Sequence, residues 1–173
     1  MTPEQLSKRV RDVPNFPLPG IMFKDITTVL QDPDAFQSAI DHLYTSVSDF
    51  EVDQVVGMES RGFIFAAPLA YRLKAGFVPV RKLGKLPAET VSVEYELEYG
   101  TNTLEIHRDA IKSGQRVLIV DDLLATGGTV SATIELVESL GGEVVACAFL
   151  AELTFLSGRD RLEGRSLVSV IQY

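Results

Sequence analysis

With one cysteine, Cys147, and two histidines, His42 and His107, this 173-residue chain can form no internal disulfide and carries no Cys/His set at metal-ligand spacing. Basic charge is also scarce. Sixteen Lys and Arg stand against twenty-four Asp and Glu, a net charge of −8 that repels nucleic acid and anionic membrane unless the cations are gathered in one place. No apolar run approaches the ~20 residues that span a bilayer, and the opening MTPEQLSKRVRDV lacks the apolar segment of a signal peptide. A reducing, cytoplasmic setting is expected, with neither nucleic acid nor membrane as partner. Repeats, low-complexity tracts and long Pro/Gly/Ser linkers are absent as well, so residues 1–173 are expected to form a single domain.

What is present is a series of short elements separated by turn residues. Thr2, Pro3 and Gln5 predict a capped helix start. PNFPLPG at 14–20 predicts an irregular, rigid loop. Asp32-Pro33 opens a helix with Phe36, Ala39, Ile40, Leu43 and Val47 on one stripe and His42 off it. Residues 53–58 and 77–82 read as strands around a buried helix over 60–74 that contains Pro68, and 90–97 with 102–107 read as a hairpin. The run RVLIVD at 116–121 is nearly all β-branched or aliphatic, as in a central strand covered on both faces. A helix over 129–140, stopped by Gly141-Gly142, and a strand over 143–151 complete the pattern. Strands alternating with helices specify an α/β fold, a mainly parallel twisted sheet flanked by helices. Ligands of such sheets bind beyond the carboxyl ends of the strands.

The segment VLIVDDLLATGGT, residues 117–129, lies at such an end. Its strand delivers two adjacent carboxylates, Asp121 and Asp122, and a small turn, Ala125, Thr126, Gly127, Gly128 and Thr129, then enters a helix. Backbone N–H groups of a glycine turn, threonine hydroxyls and a helix N-terminus suit a phosphate. Carboxylates do not; they suit sugar hydroxyls, or a hydrated magnesium ion met through water. The combination describes a ribose 5-phosphate held at both ends. A P-loop is excluded, since Gly84-Lys85 is followed by leucine and has no glycine five positions earlier. A glycine-rich connector without ligand is the bland alternative. Ser60 misses the spacing of a nucleophile elbow, and Cys147, inside an apolar strand, reads as packing.

Charge is segregated along the chain. Residues 60–88 hold Arg61, Arg72, Lys74, Arg81, Lys82 and Lys85 and no acid, while 89–107 hold five glutamates and no Lys or Arg. A local pocket for a polyanion inside an acidic protein fits this arrangement, with Arg72 and Lys74 read as solvated helix-end residues.

The thirteen-residue segment resembles the signature of the type I phosphoribosyltransferases. The resemblance to their adenine-using members extends through NFPLPGIMFKDI, VVGMESRGFIFAAPLA, VPVRKLGKLP and YELEYGTNTLEIHRDAI, in order. It implies the type I phosphoribosyltransferase fold, with an N-terminal base-binding hood over residues 1–30 and a flexible β-hairpin lid over 83–101. It implies transfer of ribose 5-phosphate from 5-phosphoribosyl 1-pyrophosphate to adenine with Mg2+, giving AMP and pyrophosphate. By the same resemblance Asp121 and Asp122 hold the ribose hydroxyls and residues 125–129 the 5-phosphate. Ser60, Arg61, Arg81, Lys82 and Lys85 meet the pyrophosphate. Met22, Phe23 and Lys24 contact the base, Phe23 by stacking, with Leu153 on the other face of the ring. Ala125 stands where the 6-oxopurine enzymes have an aspartate facing the base. Glu98 is the candidate for the purine proton, or else one of a wet row with Glu94 and Glu96. No direct protein ligand to the metal is assigned, Asp121 or Asp122 serving through water. A homodimer is implied, in which the Arg81 region reaches the neighbour's site. The rival expectations are a regulator that senses the activated sugar and a phosphoribosyltransferase for another purine.

Overall fold

The computed structural model describes residues 1–96 and 100–173, and the chain divides into two compact units, Met1–His42 and Leu43–Tyr173. In the first, α1 (Pro3–Ser7) begins with the predicted reciprocal cap: Thr2 accepts from the Gln5 N–H and the Gln5 side chain accepts from the Thr2 N–H. β1 (Arg11–Pro14) and β2 (Met22–Asp25) pair antiparallel, with Arg11 opposite Asp25 and Pro14 opposite Met22. The proline-rich stretch is therefore the connection of a two-stranded ribbon, which the sequence pattern did not reveal. Asn15 closes it by accepting from the Gly20 N–H at 2.9 Å. α2 (Thr27–Leu30) follows, and α3 (Pro33–Val47) runs from this unit into the next.

The second unit contains β3 (Gln54–Met58), α4 (Gly62–Leu73), β4 (Gly76–Lys82), β5 (Thr90–Glu96), β6 (Thr101–His107), β7 (Arg116–Leu124), α5 (Gly128–Ser139), β8 (Glu143–Glu152) and β9 (Leu167–Gln172), with two short 3-10 turns at Thr154–Leu156 and Asp160–Leu162. The seven strands lie in the order β5-β6-β4-β3-β7-β8-β9. β4, β3, β7, β8 and β9 are mutually parallel, and the β5-β6 hairpin is added antiparallel on the β4 edge. This is the predicted fold class. Val117, Leu118, Ile119 and Val120 on β7 are all fully buried, as their unbroken apolar run requires of a strand covered on both faces. α5 sends Val130, Ile134 and Val137 into a cluster with Val56, Val80 and Ile119, against which Val91 and Val93 of the hairpin also pack.

Two boundaries differ from the sequence reading. β7 does not stop at the acid pair but continues to Leu124, because β8 pairs with it through Leu123–Ala151 and Leu124–Glu152. β9 was not foreseen; it pairs with β8 from Cys147–Leu167 to Glu152–Gln172. The neighbours of β3 are β4 on one side and β7 on the other, while the chain leaves β7 in the opposite direction toward β8. The carboxyl ends of β3 and β7 thus flank a topological switch point, where an open α/β sheet offers a crevice.

Candidate active site

Both acids stand on this switch point. Asp122 is almost completely buried, and its Oδ2 is 2.7 Å from the Arg61 Nε, across the gap between the end of β7 and the start of α4. Asp121 turns its Oδ1 back to accept from the Asp122 N–H at 2.9 Å. Burial, then the charge of Asp122, pushes the Asp121 carboxyl well above the usual carboxylate range. Gly62 permits the arrangement: a β-carbon there would fall 2.7 Å from Asp121 Oδ1. A larger residue at the start of α4 would force the acid out of place.

The turn that follows is shaped as its glycines suggested. Gly127, at φ +81°, precedes α5 in the left-handed region. Residues 121 and 123–130 line a recess of about 70 Å3. Asp121, Ala125, Thr126, Gly127, Gly128 and Thr129 are thereby brought to one place. α5 has no acid in its first turn, so no side chain of that turn neutralises its exposed N–H groups.

The basic residues divide into two kinds. Ser60 and Arg61 are exposed directly after β3. Arg81 is tied down within its own chain: its Nε and Nη2 donate to Glu59 at 3.1 and 3.4 Å, and its Nη1 donates to the Lys85 carbonyl at 3.2 Å. Glu59 also accepts from the Lys82 N–H at 3.0 Å. Burial pushes the Glu59 carboxyl up, but these donors outweigh it and hold it below the ordinary value. Glu105, opposite Arg81 on β6, accepts from the Gly84 N–H at 2.8 Å and the Thr90 hydroxyl at 3.0 Å. Two acids therefore fix the base of the loop over 82–90 and leave Lys82 and Lys85 exposed on it. Glu59 and Glu105 had no visible role in the sequence, because their partners lie 22 or more and 15 or more residues away.

In the first unit, Met22, Phe23 and Lys24 form β2. Phe23 meets Phe16 edge to face with centroids 5.1 Å apart, Met22 is largely exposed, and Lys24 Nζ is 2.6 Å from Asp12 Oδ1. The Lys24 side chain is thus engaged away from its own backbone edge. Leu153, in the second unit, is half-buried at the end of β8, its N–H donating to the Leu124 carbonyl at 2.9 Å. Glu98 lies outside the described residues. The Tyr95 hydroxyl is 3.3 Å from Thr129 Oγ1, so β5 reaches the turn over 125–129.

Among the described residues no three His, Cys, Asp or Glu side chains gather as a metal-binding group. Cys147 is buried, its thiol pushed up to about 12 by burial, as expected of a packing residue.

The Phosphoribosyl transferase domain model matches residues 25–169. The adenine phosphoribosyltransferase of Chloroflexus aurantiacus is 57% identical over 173 residues, all of both chains, and that of Acetivibrio thermocellus is 61% identical over 169, covering 97% of this chain and 99% of the relative. The crystal structure of the Thermoanaerobacter pseudethanolicus adenine phosphoribosyltransferase superposes with a TM-score of 0.97 at 57% identity, covering 99% of this chain and 100% of that one. The Saccharomyces cerevisiae adenine phosphoribosyltransferase, solved with adenine and an imino-altritol bisphosphate, gives 0.91 at 42% identity with 97% of each chain covered. Identity and fold run from end to end with these enzymes, and this chain therefore belongs to the adenine phosphoribosyltransferase family.

Proposed function

We propose that this chain transfers ribose 5-phosphate from 5-phosphoribosyl 1-pyrophosphate to adenine, releasing AMP and pyrophosphate in purine salvage. The observation that carries the reading is the pairing, at one switch point, of an acid pair suited to ribose hydroxyls with a glycine turn suited to a phosphate, in a chain that follows adenine phosphoribosyltransferases along its length. The C1–O bond to pyrophosphate breaks as the C1–N bond to the base forms, and the base gives up one proton. Asp121 and Asp122 accept from the ribose hydroxyls, and residues 125–129 hold the 5-phosphate, which fixes C1 in place for attack. Ser60, Arg61, Lys82 and Lys85 face the departing pyrophosphate, with Arg81 at the margin of that group, shaping the loop through Glu59. Met22, Phe23 and Lys24 are assigned to the adenine ring, with an aromatic face from Phe23 and fixed backbone groups from its neighbours.

Magnesium fits this donor set as a hydrated ion. Asp122 is buried and paired with Arg61, and Asp121 turns one oxygen to the Asp122 N–H, so Asp121 or Asp122 would meet it through water rather than directly. Bound with the sugar pyrophosphate, the ion supplies charge stabilisation for the leaving group.

Assay of adenine, hypoxanthine, guanine, xanthine and orotate with the activated sugar and magnesium tests the reading. Adenine is expected to be used efficiently and alone, since Ala125 offers no carboxylate to a 6-oxopurine; equal or faster turnover of hypoxanthine or guanine would overturn it. Glu98 is assigned to the purine proton, and the segment 83–101 is assigned to covering the site against water. Glu98→Gln is expected to lower kcat more than it changes either KM. An unchanged kcat would remove that assignment.

The chain is assigned to a homodimer in a cytoplasmic setting. Phe63, Ile64, Ala67 and Tyr71 form a partly uncovered stripe on α4, with Tyr71 86% exposed and Phe77 edge-on to Phe63 at 5.6 Å. An isologous contact would cover it. Sedimentation velocity reads the outcome, and a fully active monomer would sink the assignment.

A further inference from the structure

Arg161 was not among the residues the sequence singled out, yet its position is fixed from both sides. Before it, Arg159 donates to both oxygens of the buried Glu152, at 2.6 and 2.8 Å. After it, Leu162 is buried in the main apolar cluster. Gly158 lies so close to the phosphate turn that a β-carbon on it would collide with the Ala125 carbonyl oxygen, and one on Gly127 would fall 2.7 Å from the Gly158 carbonyl oxygen. The segment over 158–162 is thus laid against residues 125–127. From it the Arg161 side chain runs back along the turn: its Cβ is 3.5 Å from where a β-carbon of Gly127 would fall, and its Nη1 is 3.2 Å from the corresponding point on Gly128, the first residue of α5.

Electrostatics makes this placement unusual. A guanidinium beside the N-terminus of a twelve-residue helix adds positive charge to the positive end of the dipole. The first turn of α5 has no acid, and among the described residues no carboxylate is ion-paired with Arg161. Arg161 does not line the recess of residues 121–130 but adjoins its Gly127-Gly128 wall, so an anion held by that turn would lie between the helix N-terminus and the guanidinium and offset their repulsion.

We propose that Arg161 is a further binding residue for the 5-phosphate of the sugar substrate and of AMP, donating to phosphate oxygens that the 125–129 turn holds on their other side. The proposal rests on the assignment of that turn to the 5-phosphate. It adds a side-chain cation to a site that sequence reading built from backbone groups and hydroxyls alone.

The test is ligand binding and steady-state kinetics with Arg161→Gln and Arg161→Lys. For Arg161→Gln, dissociation constants of AMP and ribose 5-phosphate and the KM of the activated sugar are expected to rise about tenfold, the loss of one charge-assisted contact. The dissociation constant of adenine and the melting temperature should stay at their wild-type values, and Arg161→Lys should recover part of the loss. A merely structural role would weaken adenine and AMP together; that outcome, or unchanged AMP affinity in Arg161→Gln, overturns the proposal. Comparing wild-type affinity for ribose and ribose 5-phosphate separates the two levels. If the phosphate adds affinity in the wild type and equally in the variant, only the role of Arg161 fails; if it adds none in the wild type, the assignment of the turn fails and the role of Arg161 falls with it.

Discussion

Replacing Asp121 and Asp122 together by asparagine is expected to lower kcat/KM for the activated sugar by roughly 100- to 10,000-fold. Each carboxylate is assigned a hydrogen bond to a ribose hydroxyl, and hydrogen bonds to charged groups are each worth about 1.5–3 kcal/mol. The fold should survive, because the acids add little to it. Asp122 makes its ion pair with Arg61, whose side chain is half exposed, and Asp121 satisfies one backbone N–H that an asparagine carbonyl can also satisfy. Circular dichroism and steady-state kinetics on the same preparations check both halves. Near-full turnover in the double variant would remove the ribose assignment.

Asp121→Asn alone carries a pH signature whose sign follows from burial. The folded-state pKa of Asp121 is raised by desolvation first and by Asp122 second. The folded protein therefore binds this proton more tightly than the unfolded chain does. Its contribution to stability is complete below the unfolded carboxylate value and is lost as pH rises through the folded one. Asparagine removes the titration, so the variant should melt at or above the wild-type temperature in neutral and alkaline buffer, with the gap closing toward acid.

Legibility in the sequence followed the range of the signal. β7 announces itself because every residue from Val117 to Val120 is apolar and fully buried, and the turn after it because its glycines are consecutive and one of them sits at positive φ. The acid pair could be placed at a strand's carboxyl end for the same reason. That β7 continues past the acids was hidden, because only pairing with β8 decides it. The β1-β2 ribbon was hidden by its prolines, which read locally as a break although Pro14 ends one strand of the ladder and Pro17 and Pro19 lie in its connection. Most opaque was the stretch over 153–166. It has little apolar periodicity, and its significance lies in contacts with residues 124–128, about thirty positions earlier: Leu153 on Leu124, Gly158 on Ala125 and Arg161 beside Gly128. Charge segregation drew attention to the basic stretch over 60–88, but could not show that Arg81 is held by Glu59, an acid lying just outside that stretch.

The same opaque stretch should contain a principal anchor of the turn assigned to the 5-phosphate. Glu152 is 3% exposed at the end of β8, and it accepts from Arg159 Nε at 2.6 Å, Arg159 Nη2 at 2.8 Å and the Ser169 hydroxyl at 2.6 Å. Arg159→Met would leave that carboxylate buried with the hydroxyl as its remaining side-chain donor. Breaking one side of a buried pair costs about 3–5 kcal/mol. Because Arg159 is itself partly exposed, about 2–4 kcal/mol is the appropriate expectation, or a fall in Tm of roughly 5–15 °C for a chain of this size. Burial raises the Glu152 carboxyl, but the bonds from Arg159 and Ser169 outweigh it and hold it below the ordinary value. In the wild type, then, Glu152 contributes stability above the unfolded carboxylate pKa and loses it as pH falls through the folded one. Without Arg159 the burial effect dominates and the sign reverses, so the difference in Tm between wild type and variant should shrink as pH is lowered through the carboxylate range. The double variant Glu152→Gln/Arg159→Met, which removes the stranded charge, should recover part of the loss. If Arg159→Met melts within two degrees of wild type, or if the double variant is no more stable than the single one, the pair is not the anchor. If it is, the KM for the activated sugar should rise in Arg159→Met even at temperatures where the variant is fully folded, since the segment that Arg159 secures is the one laid against the phosphate turn.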